Sequence, residues 1–598
     1  MDISSRFPGE LLSEIFSYLP RKSLKFAFHN GKEANSHLLD DIKSCCLVNK
    51  RFNAIASRIL YRNVTLSCFG DDGPGPELER SLLRPGHQSI QYIQSITVDI
   101  CGSTRPPGSY YWPDGKFPPQ EGTLLRMAKI FNRLVELVGE DRIDSIHLES
   151  QEFLMYISTP LRKKVKTFDL CLSYDNETIP TTGQEPTPIF LRSLQDLEKN
   201  KQGLSLETLT VYRVGSDLAN IGPAWEICQQ NYKTLKSLDL HGLRAEPNPQ
   251  MDCLTRILNE SHQLDALEDL CLRDIAWYCF PGAGYNSGLV KLLEQFTSAC
   301  GRRNIKTLSL LNCALPYPLN TTWIQGMTSL TNLSIQKTGH LLDLEELLCN
   351  LSCGLSSLSL TWYQSVSDAI PLRKIAFTKH SKTLKRLYLD YRTGRLRIKS
   401  LPCPNEGNDI LDLETISKFP FLEHLAITLD KPDSWDSGGP IFPSLKSICF
   451  LGTGLIRMET EGRQLKLWDL WTELGQIAFM NGQPPVPHQM DDGAFRLLRW
   501  LTSPYKDATG DIISKGMRLE VVIMPVFSLR LRYSLFQECL VFFRDYSKPF
   551  SFDSVAKGID DLCYLHPDIA MEFKIQDRRK PYHQIPISSR LHIKTAAN

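Results

Sequence analysis

A short pattern recurs along most of the chain, with apolar residues at positions 1, 4 and 6 and non-apolar residues at positions 2 and 3. Its nine clear copies begin at Leu206, Leu235, Leu267, Ile305, Leu330, Leu355, Leu384, Leu422 and Leu445, at intervals of 23 to 38 residues. At ordinary Leu and Ile frequencies, roughly one match this strict is expected by chance in such a stretch. A unit that recurs in this way buries its apolar face against its neighbours, so the pattern restricts the chain to an array of stacked units.

The periods within each unit predict a strand followed by a helix. Positions 4 and 6 alternate with polar positions, as in a half-buried strand. Between the strands, segments such as Leu341, Leu344, Leu347 and Leu348 have helical spacing. Weaker copies of the pattern begin at Ile93, Ile143 and Val165, and Leu519 begins a further strand-like segment. The prediction is an α/β solenoid with a curved parallel sheet and outer helices, similar to a divergent array of leucine-rich repeats.

The residues at positions 5 and 7 of each unit, and just beyond, are expected on the concave face of this sheet. Aromatic and arginine side chains are enriched at interfaces, so this face is the predicted site for binding a target protein. For any single residue, a solvated strand face is the simpler interpretation. The predicted target-binding residues are Tyr212, Arg213, His241, Arg273, Gln336, Trp362, Tyr363, Asp390, Tyr391 and Arg392.

The amino-terminal 66 residues lie outside the repeat pattern. Helical spacing from Leu11 to Leu19, ended by Pro20, and again from Ile42 to Leu60, predicts three short helices. About 15 residues, 26–39, separate the two stretches and are expected to form an inserted loop. A module this small gains stability when it buries an apolar face against a partner, although the same face could instead cap the solenoid.

The amino-terminal motifs resemble an F-box. FPGELLSEIFSYLP is similar to the family's Leu-Pro and first helix, and CLVNKRFNAIASRILYRNV is similar to its Leu-Val-x-Lys segment and closing aromatic. The resemblance covers about 50 residues, ahead of leucine-rich repeats, an arrangement common in fungal F-box proteins. It implies docking on a Skp-type adaptor, and through it on cullin and RING subunits, by Pro8, Leu11, Leu12, Ile15, Phe16, Leu19, Leu24, Leu47, Val48, Phe52, Leu60 and Tyr61.

These observations divide the chain into four predicted regions. Residues 1–66 form the F-box, and residues 67–205 hold degenerate first repeats with Pro/Gly-rich loops. The leucine-rich-repeat solenoid occupies residues 206–452, and residues 453–598 form carboxyl-terminal repeats or a cap. The resemblance implies a non-catalytic substrate-recognition subunit of an SCF-type ubiquitin ligase.

Composition and motifs exclude several other classes. With 68 Lys and Arg against 67 Asp and Glu, the chain has no global positive field for nucleic acid. No apolar stretch is long enough to span a bilayer, and no signal-peptide pattern precedes the 17 scattered cysteines, so we expect a cytoplasmic or nuclear protein without a membrane partner. No cofactor, metal or catalytic motif occurs. The alternatives are a non-ligase interaction scaffold and, less favoured, an enzyme with its site in residues 453–598.

Overall fold

The structure is a computed structural model of the 598-residue chain. The residues it describes are 24–26, 28–29, 32–33, 46–69, 83, 88–101, 121–148, 151–171, 203–212, 221–241, 244–245, 262–273, 276–277, 296–311, 322–338, 342–363, 373–391, 411, 413–427, 442–450, 504–506, 512–514, 518–525, 539–545, 551–552, 566 and 569. Two units can be distinguished: unit 1 comprises residues 1–330 and 578–598, and unit 2 comprises residues 331–577.

The described part of unit 1 alternates strands with helices. Its strands are β1 (Leu24–Phe26), β2 (Phe28–His29), β3 (Lys32–Glu33), β4 (Asn63–Phe69), β5 (Ser95–Cys101), β6 (Ser145–Leu148), β7 (Val165–Cys171), β8 (Thr208–Tyr212), β9 (Ser237–His241), β10 (Arg244–Ala245), β11 (Asp269–Arg273), β12 (Ala276–Trp277) and β13 (Thr307–Leu311). Its helices are α1 (Lys50–Tyr61), α2 (Glu121–Val138), α3 (Thr159–Arg162), α4 (Ile221–Gln230) and α5 (Thr322–Gln325). Short 3₁₀ helices occupy Gln88–Tyr92, Glu140–Arg142 and Gln151–Tyr156.

The main sheet of unit 1 is parallel throughout its described strands, in the order β1-β4-β5-β6-β7-β8-β9-β11-β13. The strands predicted from the weak copies at Ile93, Ile143 and Val165 are present as β5, β6 and β7. Strand β4 was not predicted, although Val64 and Leu66 alternate with polar neighbours and are buried. Two two-stranded ladders also form, β10 with β12 in parallel and β2 with β3 in antiparallel.

The described part of unit 2 repeats the same alternation. Its strands are β14 (Asn332–Thr338), β15 (Ser357–Tyr363), β16 (Arg386–Tyr391), β17 (His424–Ile427), β18 (Ser447–Phe450), β19 (Pro504–Lys506), β20 (Ile512–Ser514), β21 (Val521–Pro525), β22 (Cys539–Asp545) and β23 (Ser551–Phe552). Its helices are α6 (Leu342–Asn350), α7 (Ile375–Thr378) and α8 (Leu413–Ser417). Strands β14 to β18 and β21 pair in parallel in that order. The strand predicted at Leu519 is therefore present, but β22 follows it in antiparallel pairing.

The leucines of the repeat pattern form the core. Position 4 is buried in each copy from Leu209 to Ile448, and position 6 is buried wherever its side chain is described. Helix α6 buries Leu344, Leu347 and Leu348, as its spacing predicted. The α/β class and the parallel sheet predicted from the sequence are thus present in both units.

Charged residues at position 2 of most copies form rows of alternating charge along the edge where the strands begin, while Thr331 and Ser356 occupy this position in two copies of unit 2. Lys236 Nζ lies 2.9 Å from Glu207 Oε2, and Lys306 Nζ lies 2.7 Å from Glu268 Oε1. In unit 2, Lys446 Nζ lies 2.7 Å from Glu423 Oε2. The alternation runs Lys166, Glu207, Lys236, Glu268 and Lys306 in unit 1, and Lys385, Glu423, Lys446 and Glu520 in unit 2. Opposite charges on neighbouring strands favour this register over a slipped one, and we call these rows the charge ladders.

Candidate binding surfaces

A break between two helices shapes the amino-terminal surface. Residues 46–48 are helical, and Asn49 then adopts an extended conformation and caps α1. Its Oδ1 accepts from the Phe52 N–H at 2.9 Å, and its carbonyl accepts from Asn53 N–H at 2.9 Å. The sequence predicted helical spacing from Ile42 to Leu60. The helix instead restarts at Asn49, because an asparagine side chain satisfies a free backbone N–H better at a cap than inside a helix.

Leu47 and Val48, which immediately precede this cap, are the most exposed large hydrophobic side chains among the described residues, at 87% and 61%. A short chain of hydrogen bonds holds this segment on α1. Asn53 Nδ2 donates to the Cys46 carbonyl at 3.0 Å, and Ser57 Oγ donates to Asn53 Oδ1 at 3.0 Å. Two adjacent exposed apolar side chains on an anchored segment constitute a candidate docking surface, which we call the Leu47–Val48 surface.

The other predicted adaptor-binding residues are placed differently. Leu60 is only 7% exposed and packs with Ala56, while Phe52 and Tyr61 are partly buried against that pair. Burial raises the pKa of the Tyr61 hydroxyl, and the neighbouring Cys46 raises it further. Leu24 lies in β1 opposite Val64 of β4. The remaining predicted residues, Pro8, Leu11, Leu12, Ile15, Phe16 and Leu19, lie outside the described residues.

The expected inserted loop at 26–39 is not wholly irregular. It begins with the last residue of β1 and contains the β2–β3 hairpin. Strands β1 to β3 and the start of β4 thus occur within residues 1–66 in addition to α1, while the first predicted helix, from Leu11 to Leu19, lies outside the described residues.

Two predicted target-binding residues of unit 1 are buried rather than accessible. His241 on β9 and Arg273 on β11 are aligned in the parallel register and only 6% and 4% exposed. Both face Asp239: His241 Nε2 lies 3.0 Å from Oδ1, and Arg273 Nη2 donates to Oδ2 at 3.2 Å. The strand positions place His241 and Arg273 on one face, as predicted. Asp239 lies two positions before His241 and therefore on the same side of β9, but it was not among the predicted residues.

Electrostatics explains how this buried Asp239 group is tolerated. Burial by itself would raise the pKa of Asp239, but His241 and Arg273 outweigh it and the pKa is lowered. Burial raises the pKa of the adjacent Cys271 thiol well above its ordinary value, and the Asp239 charge adds to this. The cluster joins β9 to β11 inside the protein, so it is a structural network and not a contact surface.

In unit 2, the register brings several predicted residues into neighbouring rows. Gln336, Thr361 and Asp390 align across β14, β15 and β16, and Lys337, Trp362 and Tyr391 align one position further on. Tyr363 aligns with Thr338. We call these residues the aromatic rows. Since successive strand positions alternate between the two faces of a sheet, the row of Lys337, Trp362 and Tyr391 falls on the opposite face from the row of Gln336, Thr361 and Asp390. In unit 1, Tyr212 aligns with Cys171. Arg213 of unit 1 and Arg392 of unit 2 lie outside the described residues.

Two exposed apolar side chains of unit 2 were missed. Ile375 begins α7 and Phe421 precedes β17, and both are more than half exposed. Neither belongs to the strand positions that the pattern singles out, so their only sequence signal is apolarity between two copies of the pattern.

Comparison with known proteins does not assign the chain to a family. No protein-family model matches the sequence, and no curated protein matches it at a significant level. Within the described ranges, no helix is both long and apolar enough to cross a membrane. The same residues contain no cluster of three or more His, Cys, Asp or Glu side chains that could bind a metal ion.

Proposed function

We propose that this chain is the substrate-recognition subunit of an SCF-type cullin–RING ubiquitin ligase. In this proposal the amino-terminal module docks on a Skp-type adaptor and the repeats hold a target protein. The chain contributes no catalytic group. It promotes ubiquitin transfer by raising the effective concentration of the target beside the ligase.

The exposure of Leu47 and Val48 is the observation that carries this proposal. These residues stand in the Leu-Val-x-Lys segment that resembles the F-box family, and the Asn49 cap and the bonds to Asn53 fix their orientation. Burying a large aliphatic side chain contributes about 1.5–3 kcal/mol, so two of them supply a substantial part of a docking interface. The row of Gln336, Thr361 and Asp390 in unit 2 is the matching candidate surface for the target.

The test is binding of purified Skp adaptor to the full chain and to the variant Leu47→Asp/Val48→Asp. Two buried carboxylates on a docking face are strongly unfavourable, so we expect affinity to fall by at least about tenfold. Leu125→Asp is the matched control, because Leu125 is an exposed leucine on α2. Circular dichroism verifies that each variant is folded. The variant Ile15→Asp/Phe16→Asp tests the adaptor-binding residues predicted on the first helix in the same way.

A second candidate is a non-ligase interaction scaffold in which the amino-terminal module caps the sheet. Two observations favour it: β1 pairs with β4 of the main sheet, and Leu60 is buried within α1's own cluster. Wild-type chain that fails to bind the adaptor would select this candidate. A Leu47→Asp/Val48→Asp variant that binds the adaptor as well as wild type would instead show that the Leu47–Val48 surface is not the docking site.

A further inference from the structure

The buried ring of His380, just after α7, joins two consecutive repeats of unit 2. Its Nδ1 accepts from the Leu355 N–H at 3.2 Å, and its Nε2 lies 3.1 Å from the Leu348 carbonyl oxygen. A carbonyl can only accept, so Nε2 carries the proton and Nδ1 is the bare acceptor. Only the neutral ring makes both bonds. Leu348 is on α6 and Leu355 begins the repeat containing β15, so one side chain ties a helix to the strand that follows it.

The backbone around the ring is fixed as well. The His380 carbonyl accepts from the Leu384 N–H at 2.9 Å, where the next repeat begins. Thr383 Oγ1 donates to the Leu355 carbonyl at 2.7 Å. Both backbone polar groups of Leu355 therefore depend on the segment 380–383.

Asn231 of unit 1 occupies the same place with a side chain that does not titrate. Its Oδ1 accepts from the Leu206 N–H at 2.7 Å, and its Nδ2 donates to the Ile227 carbonyl at 2.8 Å. Each of the two side chains accepts a hydrogen bond from the N–H of a leucine that lies 25 positions earlier in the chain. Each also lies four positions before the first leucine of the next copy. The carbonyl of Asn231 accepts from Leu235 N–H, as that of His380 does from Leu384. The chain thus uses an amide in one unit and an imidazole in the other to accept from the first leucine N–H of a repeat. The second bonds differ, because Ile227 lies four residues before Asn231 whereas Leu348 lies 32 residues before His380.

We propose that His380 is a pH-dependent anchor between repeats of unit 2. When the ring is neutral, it holds α6 to the segment that leads into β15. When Nδ1 is protonated, two donors face each other at Leu355, and the anchor releases. Strand β15 begins two residues after Leu355, so the strand that carries Thr361 and Trp362 loosens with it.

The surroundings of His380 oppose protonation. Burial lowers the pKa of the ring, the bond to the Leu348 carbonyl partly counters this, and the positive charge of Lys379 lowers the pKa again. Glu345 on α6 is already held by Arg373, whose Nε lies 2.6 Å from its Oε2. The other described titratable side chains on the surrounding elements are Glu346 and Cys349 on α6, Cys353, Lys374 and Lys382 in the connecting segments, and Lys385, Arg386 and Tyr388 at the start of β16.

The sign of the pH effect follows from this direction. Since the folded state binds the proton more weakly than the unfolded state, the anchor is fully effective above the ordinary histidine pKa of 6.5. Its contribution is lost progressively as the pH falls below 6.5 toward the lowered folded value.

The test is amide hydrogen exchange of the full chain at several pH values between 7.5 and 5, corrected for intrinsic exchange. We expect protection in residues 351–360 to fall about five- to 100-fold across this range, the change expected when a buried donor loses its partner. Residues 203–212 contain Leu206 and serve as the internal control, because Asn231 does not titrate.

Two variants exchange the side chains. His380→Asn should abolish the pH dependence at 351–360, and Asn231→His should create one at 203–212. The proposal fails if wild-type protection at 351–360 is independent of pH relative to 203–212, or if His380→Asn retains the same dependence. Should His380→Asn not fold, the wild-type comparison and Asn231→His still decide the matter.

Discussion

At the scale of single residues, a few side chains hold the units by satisfying backbone groups that the strand pattern leaves open. Asn231 is the clearest example, because it is buried and bonds both the start of one repeat and the helix before the next. A free N–H at a repeat's first residue cannot reach water once its leucine is buried. Asn231, four positions before the next copy, therefore provides the hydrogen-bond acceptor that an apolar leucine side chain cannot provide.

Asn231→Ala is expected to lower the free energy of unfolding by about 1–3 kcal/mol, because the Leu206 N–H is left without its acceptor. Urea denaturation gives the midpoint shift. Asn304→Ala is the matched control, since exposed Asn304 makes a single side-chain bond to the Asp265 carbonyl. An equal loss for both variants would contradict this account of Asn231.

Gly301 is a second residue whose identity the backbone dictates. Its φ is +72°, and a Cβ placed there would lie 2.7 Å from the Leu264 carbonyl oxygen. Gly301→Ala is therefore expected to cost about 1–3 kcal/mol, since strain and a backbone clash act together. Gly122→Ala, on α2 with open space around it, should be neutral or slightly stabilising in the same thermal melts. Equal melting temperatures for the two variants would refute the strain argument.

At the scale of elements, the charge ladders act where the strands begin. Burial alone would raise the pKa of Glu207, but Lys236 and Lys166 lower it, and Lys446 likewise lowers the pKa of Glu423. The ladders therefore stabilise the fold above the ordinary glutamate pKa of 4.5, and this contribution is lost as the pH falls below that value. Each pair is partly exposed, so the contribution is small and is screened by salt.

Glu268→Lys tests the ladder in unit 1. The substitution places a third positive charge beside Lys236 and Lys306, so we expect a loss of about 0.5–1 kcal/mol at low salt that shrinks at high salt. Glu268→Gln, which removes the charge without reversing it, should lose less. Urea titrations at two salt concentrations measure the difference, and a loss independent of salt would exclude an electrostatic cause.

At the scale of the whole molecule, each described strand of the main sheets contacts mainly its neighbours along the array. In such an array, the free energy of unfolding is close to a sum of the stabilities of single repeats and of the interfaces between neighbours. A destabilising substitution should therefore affect its own repeat and the adjacent repeats most. Unit 1 and unit 2 each have their own buried leucines. A substitution of a buried leucine should therefore destabilise mainly the unit that contains it.

Leu360→Ala in β15 is expected to cost about 2–5 kcal/mol, because the side chain is fully buried. Hydrogen exchange should rise most in β14, β15 and β16 and less in β18 and β21. Leu125→Ala, at an exposed leucine, should change stability by about 0.5 kcal/mol or less. Exchange that rises uniformly through both units would contradict the nearest-neighbour picture.

The candidate surfaces were only partly predictable. Leu47 and Val48 were singled out by motif, but their exposure depends on the Asn49 cap and the bond from Asn53 to Cys46. His241 and Arg273 were correctly placed on one face from their strand positions. Their burial against Asp239 could not be foreseen, because it depends on what lies over that face.

The sequence alone determined the α/β class and the register of the repeats, because a leucine at positions 4 and 6 can be buried only if every copy aligns with the next. Tertiary structure decided which side chains on the opposite face are accessible. It also decided that Asn231 and His380, two unlike residues 149 positions apart, serve equivalent backbone groups. The physical reason is that burial and hydrogen-bond partners depend on neighbours distant in the chain, whereas apolar periodicity is a local property.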